Sequence, residues 1–288
     1  MHALPEELER EADQYTRKRS NFLIKMIMRY DADKAATLYG QAAHAYSRDG
    51  NHEKAAELYT ASANILIETK EESNKYEIFS YLEKSAEAFL ADDKKEMAIS
   101  VYKKALNEIS INSEDSSVVA SLTAKIGGLL QEVNQEQEAL RYFYKAAEVY
   151  GRSKMHINRR NILMQCAAAE IRFKNYEKAL ELYKTLSNDK SEISHVLEKT
   201  SFLFLGVLCG IILEKTKDAY ELLNQIDDTG SESQIAYKML DIKTKRTTDQ
   251  DDLEKTIEYF KKTNKLPTEV LIAMHDAQVA IDPNNDIL

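Results

Sequence analysis

One pattern of apolar and polar positions recurs along the chain: an alanine, a large apolar or aromatic residue four positions later, and a small or apolar residue three beyond that. It appears as Ala55, Tyr59, Ser62; Ala98, Tyr102, Ala105; Ala139, Phe143, Ala146; Ala179, Tyr183, Leu186; and Ala219, Leu223, Ile226. Successive alanines stand 43, 41, 40 and 40 residues apart. This spacing places all three markers on one helix face. The alanine lets a second helix approach closely, and the large side chain fills the groove beside it. Short polar stretches precede the alanines, GNHEK before Ala55, NQEQE before Ala139 and KNYEK before Ala179, and these predict turns. A second helical segment lies between successive patterns, over 76–89, 118–130, 161–173 and 195–213, so each unit reads as a helical hairpin.

An earlier copy, Ala35, Tyr39, Ala42, pairs with the Ala55 helix across a turn at Asp49, Gly50 and Asn51. After Ala219 the regularity fades, and 231–246, 251–263 and 267–281 read as three closing helices. A lone hairpin cannot bury both of its faces, so the units are expected to stack into a solenoid with an extended, protein-binding concave surface. The expected fold is therefore all-α, a tetratricopeptide-like helical-hairpin solenoid of roughly fourteen helices with a C-terminal helical bundle. Residues 1–230 would form the twisted sheet of hairpins, including an N-terminal helix and an apolar segment. Residues 231–288 would form the capping bundle and tail.

Composition agrees with helices and narrows the function. The 288 residues are 43% hydrophobic and include only eight Gly and three Pro, too few for the turns of sandwiches or barrels. A net charge of −9 disfavours broad nonspecific binding of nucleic acid. Cys166 and Cys209 lie far apart in apolar stretches, as reduced, buried thiols of a cytosolic protein would. The segment 1–19 is charged and amphipathic where a signal peptide would have an apolar core. The longest apolar run, 201–213, would span about 20 Å as a helix against a bilayer core of roughly 30 Å, and so reads as a buried helix.

Catalytic chemistry finds little support. Gly127-Gly128 sits in a helical pattern without the neighbouring Lys-Ser/Thr of a phosphate loop. The six His show no metal-ligand spacing, and His44 and His52 flank a turn. Acidic residues are abundant, but solvated faces of helical solenoids carry such charge routinely. No catalytic, cofactor-binding or metal-binding residue is assigned, and the chain is expected not to be an enzyme.

Three local features stand apart from the repeat. Phe22, Leu23, Ile24, Met26, Ile27 and Met28 form an apolar cluster that breaks helical periodicity, flanked by Arg17, Lys18, Arg19, Lys25 and Arg29. It reads equally as a membrane-inserting element, drawn to anionic lipid by about 1 kcal/mol per basic residue, and as a cap on the first repeat's core. Arg152, Lys154, His156, Arg159 and Arg160 gather at the start of a helix, where cations oppose the helix dipole by about 0.3 to 1 kcal/mol each; an acidic partner and a solvated basic turn both account for them. Last comes the ending Asp282, Pro283, Asn284, Asn285, Asp286, Ile287, Leu288, an acidic tail tipped with aliphatic residues.

With repeats of about 40 residues rather than the 34 of ordinary tetratricopeptide arrays, and these features in this order, the chain resembles the soluble NSF attachment proteins (SNAPs) along nearly its whole length. The best stretches are DADKAATLYGQAAHAYSRDGNHEKAAELY over 31–59, EVNQEQEALRYFYKAAEVY over 132–150 and RFKNYEKALELY over 172–183. The resemblance implies an adaptor that coats an assembled SNARE helical bundle and recruits and stimulates the AAA+ ATPase NSF, which disassembles the bundle in vesicle fusion and intracellular transport. It implies a cytoplasmic protein, monomeric when free, peripherally associated with membranes and needing no cofactor. Membrane contact would fall on Phe22, Leu23 and Ile24, with Met26 and Ile27 beside them. SNARE contact would fall on Lys125, Arg159 and Arg160, and ATPase contact on Asp286, Ile287 and Leu288. The sequence departs from the family in three ways: the apolar segment has no Gly, the tail has only two acidic residues, and Ile287 replaces a leucine. Its first repeat is closer to the gamma branch and its short ending to the alpha branch. The alternative is a generic tetratricopeptide-like scaffold that captures peptides or chaperone tails in its groove.

Overall fold

The computed structural model describes residues 4–17, 28–110, 117–188, 196–226, 230–246 and 249–282, and these hold fourteen α-helices and no strand. Contacts gather the chain into two units, Met1–Ser153 and Lys154–Leu288. The division at 230 expected from the sequence follows the fading of the repeat, whereas this boundary follows the density of contacts.

The first unit comprises α1 (Pro5–Arg17), α2 (Met28–Arg48), α3 (His52–Thr69), α4 (Lys75–Ala91), α5 (Lys95–Ser110), α6 (Ser117–Glu132) and α7 (Glu136–Arg152). Each helix packs on the next in the chain. The repeat markers make these contacts: Ala35, Tyr39, Ala42, Ala55, Tyr59, Ser62, Ala98, Tyr102, Ala105, Ala139, Phe143 and Ala146 are all buried. Gly127 of α6 lets a neighbouring side chain approach closely: an added Cβ would stand 2.7 Å from the ring of the marker Phe143. Glycine is therefore required there by its neighbour and not by a bend, since its own helix is unbroken.

The hairpins turn in one way. Gly50, Asp93, Asn134, Lys174 and Glu214 all have left-handed backbone, with φ of 83°, 55°, 60°, 59° and 59°. Each stands five residues before a marker alanine. Its N–H bonds a carbonyl three residues back, and the next N–H reaches five residues back, as in Asn134 N to Gln131 O at 3.1 Å and Gln135 N to Leu130 O at 2.8 Å. This is the Schellman arrangement, which satisfies the last carbonyls of one helix just before the next begins. The following residue's carbonyl then accepts from the marker alanine's N–H, as from Ala139 to Gln135 at 2.9 Å.

The second unit comprises α8 (His156–Arg172), α9 (Tyr176–Ser187), α10 (Val196–Ile212), α11 (Thr216–Leu223), α12 (Ser231–Lys243), α13 (Gln250–Thr263) and α14 (Thr268–Ile281). Ala179, Tyr183, Leu186, Ala219 and Leu223 are buried as the pattern requires. Ile226 departs from it: α11 ends at Leu223 after eight residues, leaving Ile226 beyond the helix and only half-buried. Helix α10 buries Phe202, Leu203, Phe204, Leu205, Val207, Leu208, Cys209 and Ile211. Among the described residues no helix is long and apolar enough to cross a membrane. The closing helices do not simply extend the row, because α14 returns to pack on α10 and α8, and α12 also packs on α10.

Candidate functional site

The residues singled out by resemblance fall into three sets. Phe22, Leu23, Ile24, Met26 and Ile27, together with Asp286, Ile287 and Leu288, lie outside the described residues. Lys125, Arg159 and Arg160 are described.

Lys125 projects from α6 with its ammonium 4.6 Å from the centre of the Tyr102 ring and 3.8 Å from Glu87 Oε1. Tyr102 is a repeat marker, so the apolar pattern that builds the core also sets a cation over an aromatic face. Burial works against the lysine's charge, but Tyr102, Glu87 and Glu83 outweigh it and raise the pKa above the ordinary value. Burial in turn raises the Tyr102 phenol. Lys125 thus stays cationic and partly exposed, able to meet an acidic partner.

Arg159 and Arg160 are consecutive in α8, yet differ in exposure. Arg159 is half-buried, and Arg160 is 7% exposed. The first turn of α8 has no acidic residue, whereas α5, α7, α9 and α11 each begin with at least one. Beside the arginines His156 and Asn158 are exposed, and Ile157 is 64% exposed. The first turns of α8 therefore leave both an aliphatic side chain, Ile157, and a cation, Arg159, open to solvent on different sides of the helix, and the sequence reading missed Ile157. Its signal was an aliphatic residue within the N-terminal basic cluster, in the first turn of the helix and ahead of the buried run that begins at Arg160.

A cleft of about 950 Å³ opens in the second unit between α8, α10 and the α13–α14 connection. Met164, Phe202, Leu205, Phe260 and Val270 supply apolar walls, while Gln165 and Asn264 supply amides. Its volume lies near the top of the range for small-molecule sites, and its open apolar surface also suits part of a peptide.

The two cysteines are free and buried. Burial, with Glu170 nearby, pushes the Cys166 thiol up to about 12, and burial raises Cys209 further. Neither is primed as a nucleophile, which needs thiolate. Among the described residues no three His, Cys, Asp or Glu side chains gather as a metal site would require.

The family model for the soluble NSF attachment proteins matches residues 3–273. No curated protein matches the chain. Among solved structures, the chain is similar to a signal-transduction ATPase with numerous domains and a tetratricopeptide repeat sensor from Pyrococcus horikoshii, at 14% identity and a TM-score of 0.52, covering 96% of this chain and 44% of that one. BtubC from P. vanneervenii gives 11% identity and a TM-score of 0.46 over 82% of this chain and 93% of that chain. Aspartyl phosphate phosphatase F from Bacillus subtilis gives 15% identity and a TM-score of 0.43 over 97% of this chain and 70% of that chain. The Pyrococcus likeness bears on the fold, a tetratricopeptide-like array of helical hairpins. Since the family model spans nearly all of the sequence, the chain belongs to the soluble NSF attachment protein family.

Proposed function

We propose that this protein is a non-catalytic adaptor that binds assembled SNARE complexes and recruits and stimulates an NSF-type AAA+ ATPase for their disassembly in vesicle fusion and intracellular transport. The observation that carries this reading is the family match over 3–273. In this reading Lys125 and Arg159 meet acidic side chains of the SNARE bundle, with Arg160 supporting the same turn from beneath. Phe22, Leu23, Ile24, Met26 and Ile27 contact the membrane, and Asp286, Ile287 and Leu288 engage the ATPase. The protein works in the cytoplasm, peripherally associated with membranes, and is monomeric when free. Residues 231–288 act as a cap on the hairpins that precede them.

The decisive experiment is reconstitution. An assembled SNARE bundle and its cognate ATPase should form a ternary complex with the chain at low salt and be disassembled on ATP addition. Absence of the ternary complex removes this reading. Phe22→Ser with Leu23→Ser should leave the circular dichroism spectrum unchanged and weaken liposome association; unchanged association would assign those residues to core packing instead.

A second reading, capture of short peptides or chaperone tails by a generic scaffold, is favoured by the apolar-walled cleft of about 950 Å³. Such a groove binder tolerates removal of residues 1–30 and 282–288, whereas the adaptor loses membrane and ATPase contact.

A further inference from the structure

The first unit holds a pocket of about 480 Å³ with walls from α1, α2, α3 and α4. Thr37, Gln41, His44 and Arg48 line it from α2, at intervals of four, three and four residues, which puts them on one helix face. Tyr81 and Lys84 face them from α4, and Tyr59 closes the base from α3. No lining residue is acidic, although the chain has 48 Asp and Glu against 39 Lys and Arg.

The aromatic floor is built into the packing. Tyr59 and Tyr81 stack with centroids 6.3 Å apart and planes inclined by 29°. Lys84 lies 6.0 Å from the centre of the Tyr59 ring. Gly40 admits the Tyr81 ring against α2, since a Cβ there would stand 2.5 Å from Cε1 of that ring. Burial, and then the neighbouring Glu77, which holds the hydroxyl proton in a hydrogen bond, raises the Tyr81 phenol above its ordinary range, so the pocket is offered the neutral ring. Asp49 meets Arg48 at Nε, 3.5 Å away, which leaves the terminal guanidinium nitrogens to form the fork that suits a phosphate.

We propose that this pocket binds a small organic phosphate monoester. Arg48 and Lys84 neutralise the dianion, the Gln41 amide donates a hydrogen bond to its oxygens, and the carbon skeleton rests on the tyrosine floor beside Leu8 and Ala45. The volume lies within the range of small-molecule sites and exceeds what a bare inorganic anion fills. The proposal uses none of Lys125, Arg159 or Arg160 and stands apart from the adaptor reading. The same chemistry arises in a soluble phosphate ester and in a phosphorylated lipid headgroup.

The test is a nuclear magnetic resonance titration of the full chain with inositol monophosphate, against sodium chloride at matched ionic strength. Saturable shifts confined to the amides around His44, Arg48 and Lys84 are expected. Binding should weaken at least tenfold in Arg48→Gln/Lys84→Gln and in Gln41→Glu, which sets a carboxylate in the pocket from an exposed helix position. Lys178→Gln, at a 66% exposed lysine side chain of the second unit, should bind as the parent does, and thermal melts should show all variants folded. A nonsaturable response, an equal response to chloride, or undiminished binding by the pocket variants overturns the proposal. Flotation with phosphatidylcholine vesicles containing phosphatidylinositol 4-phosphate, against vesicles charge-matched with phosphatidylserine, separates the two sources. Pocket-dependent recruitment to the former alone assigns a lipid headgroup, and saturable soluble binding without such recruitment assigns a free ester.

Discussion

The two units are built from the same hairpin but are held together differently. In the first, every major packing partner is the next helix in the chain, so order is passed from neighbour to neighbour, as in repeat arrays whose stability sums unit and interface contributions. In the second, α14 folds back across about a hundred residues of sequence to join α8 and α9 by polar contacts. The Tyr176 hydroxyl donates to Asp276, Lys174 pairs with Asp276 at 3.0 Å, and Arg172 stands 3.6 Å from Glu269. Lys243 adds a bond to the Ala280 carbonyl at 2.9 Å. Directional contacts also join helices of the first unit, as where Tyr39 donates to Asp13 and Ser85 to the Ala56 carbonyl, but there they link elements close in the chain, whereas in the second they fix a helix arriving from far along it. These set its register, as apolar surface alone does poorly.

The largest effect that probes this contrast is loss of a ring from the neighbour-to-neighbour core. Phe143→Ala should destabilise the first unit by about 3 to 5 kcal/mol, read from chemical denaturation, with hydrogen-exchange protection lost in α6 and α7 and retained in α14. Gly127→Ala comes next, at about 1 to 3 kcal/mol from overpacking. Because the clash is with Phe143 itself, the penalty should nearly vanish in a Phe143→Leu background. Equal penalties in both backgrounds would place the strain elsewhere.

In the second unit Asp276→Ala should lower stability by about 1 to 3 kcal/mol at neutral pH, by leaving the buried Tyr176 hydroxyl without its acceptor. Protection should fall in α14 and α8 while the first unit is unchanged. The same residue sets a pH dependence. Burial pushes the Asp276 carboxyl up, but the Tyr176 and Lys174 hydrogen bonds outweigh it and hold the pKa below the ordinary value. Its stabilisation is therefore complete above about pH 4, the unfolded aspartate value, and is lost as pH falls through the lower folded value. Urea melts of the variant should lack that part of the acid limb. The smallest effect belongs to the turns: Glu214→Gly should stabilise by less than about 1 kcal/mol, since relief of the left-handed penalty is partly offset by a more flexible unfolded chain and by loss of the exposed pair with Lys243 at 2.8 Å. Asp93→Gly should gain less, because aspartate tolerates that backbone better.

The marker pattern made the hairpins legible in the sequence because alanine and ring positions answer to burial, which a periodic string records. The turn chemistry was harder to read. Of the five left-handed positions that precede marker alanines only Gly50 is a glycine, and Asp93, Asn134, Lys174 and Glu214 look like ordinary polar residues. Their fixed distance from the marker alanines was the available clue. The burial of Arg160 beside the more exposed Arg159 could not be read either, since adjacent basic residues in a string carry no record of helix phase against a neighbour. The pocket lined by His44, Arg48 and Lys84 joins residues from two hairpins, so no local spacing announces it. The positions proposed to contact the membrane and the ATPase lie outside the described residues.

The return of α14 also bears on synthesis. As the polypeptide leaves the ribosome, the early hairpins can close against one another in order, with short loops and little waiting. Helices α8 and α10 must meanwhile keep an apolar flank uncovered until α14 has been made. A pause or truncation before residue 268 would therefore leave that flank open to chaperones or aggregation, whereas a comparable stop between earlier hairpins would leave a shorter but better-sealed chain.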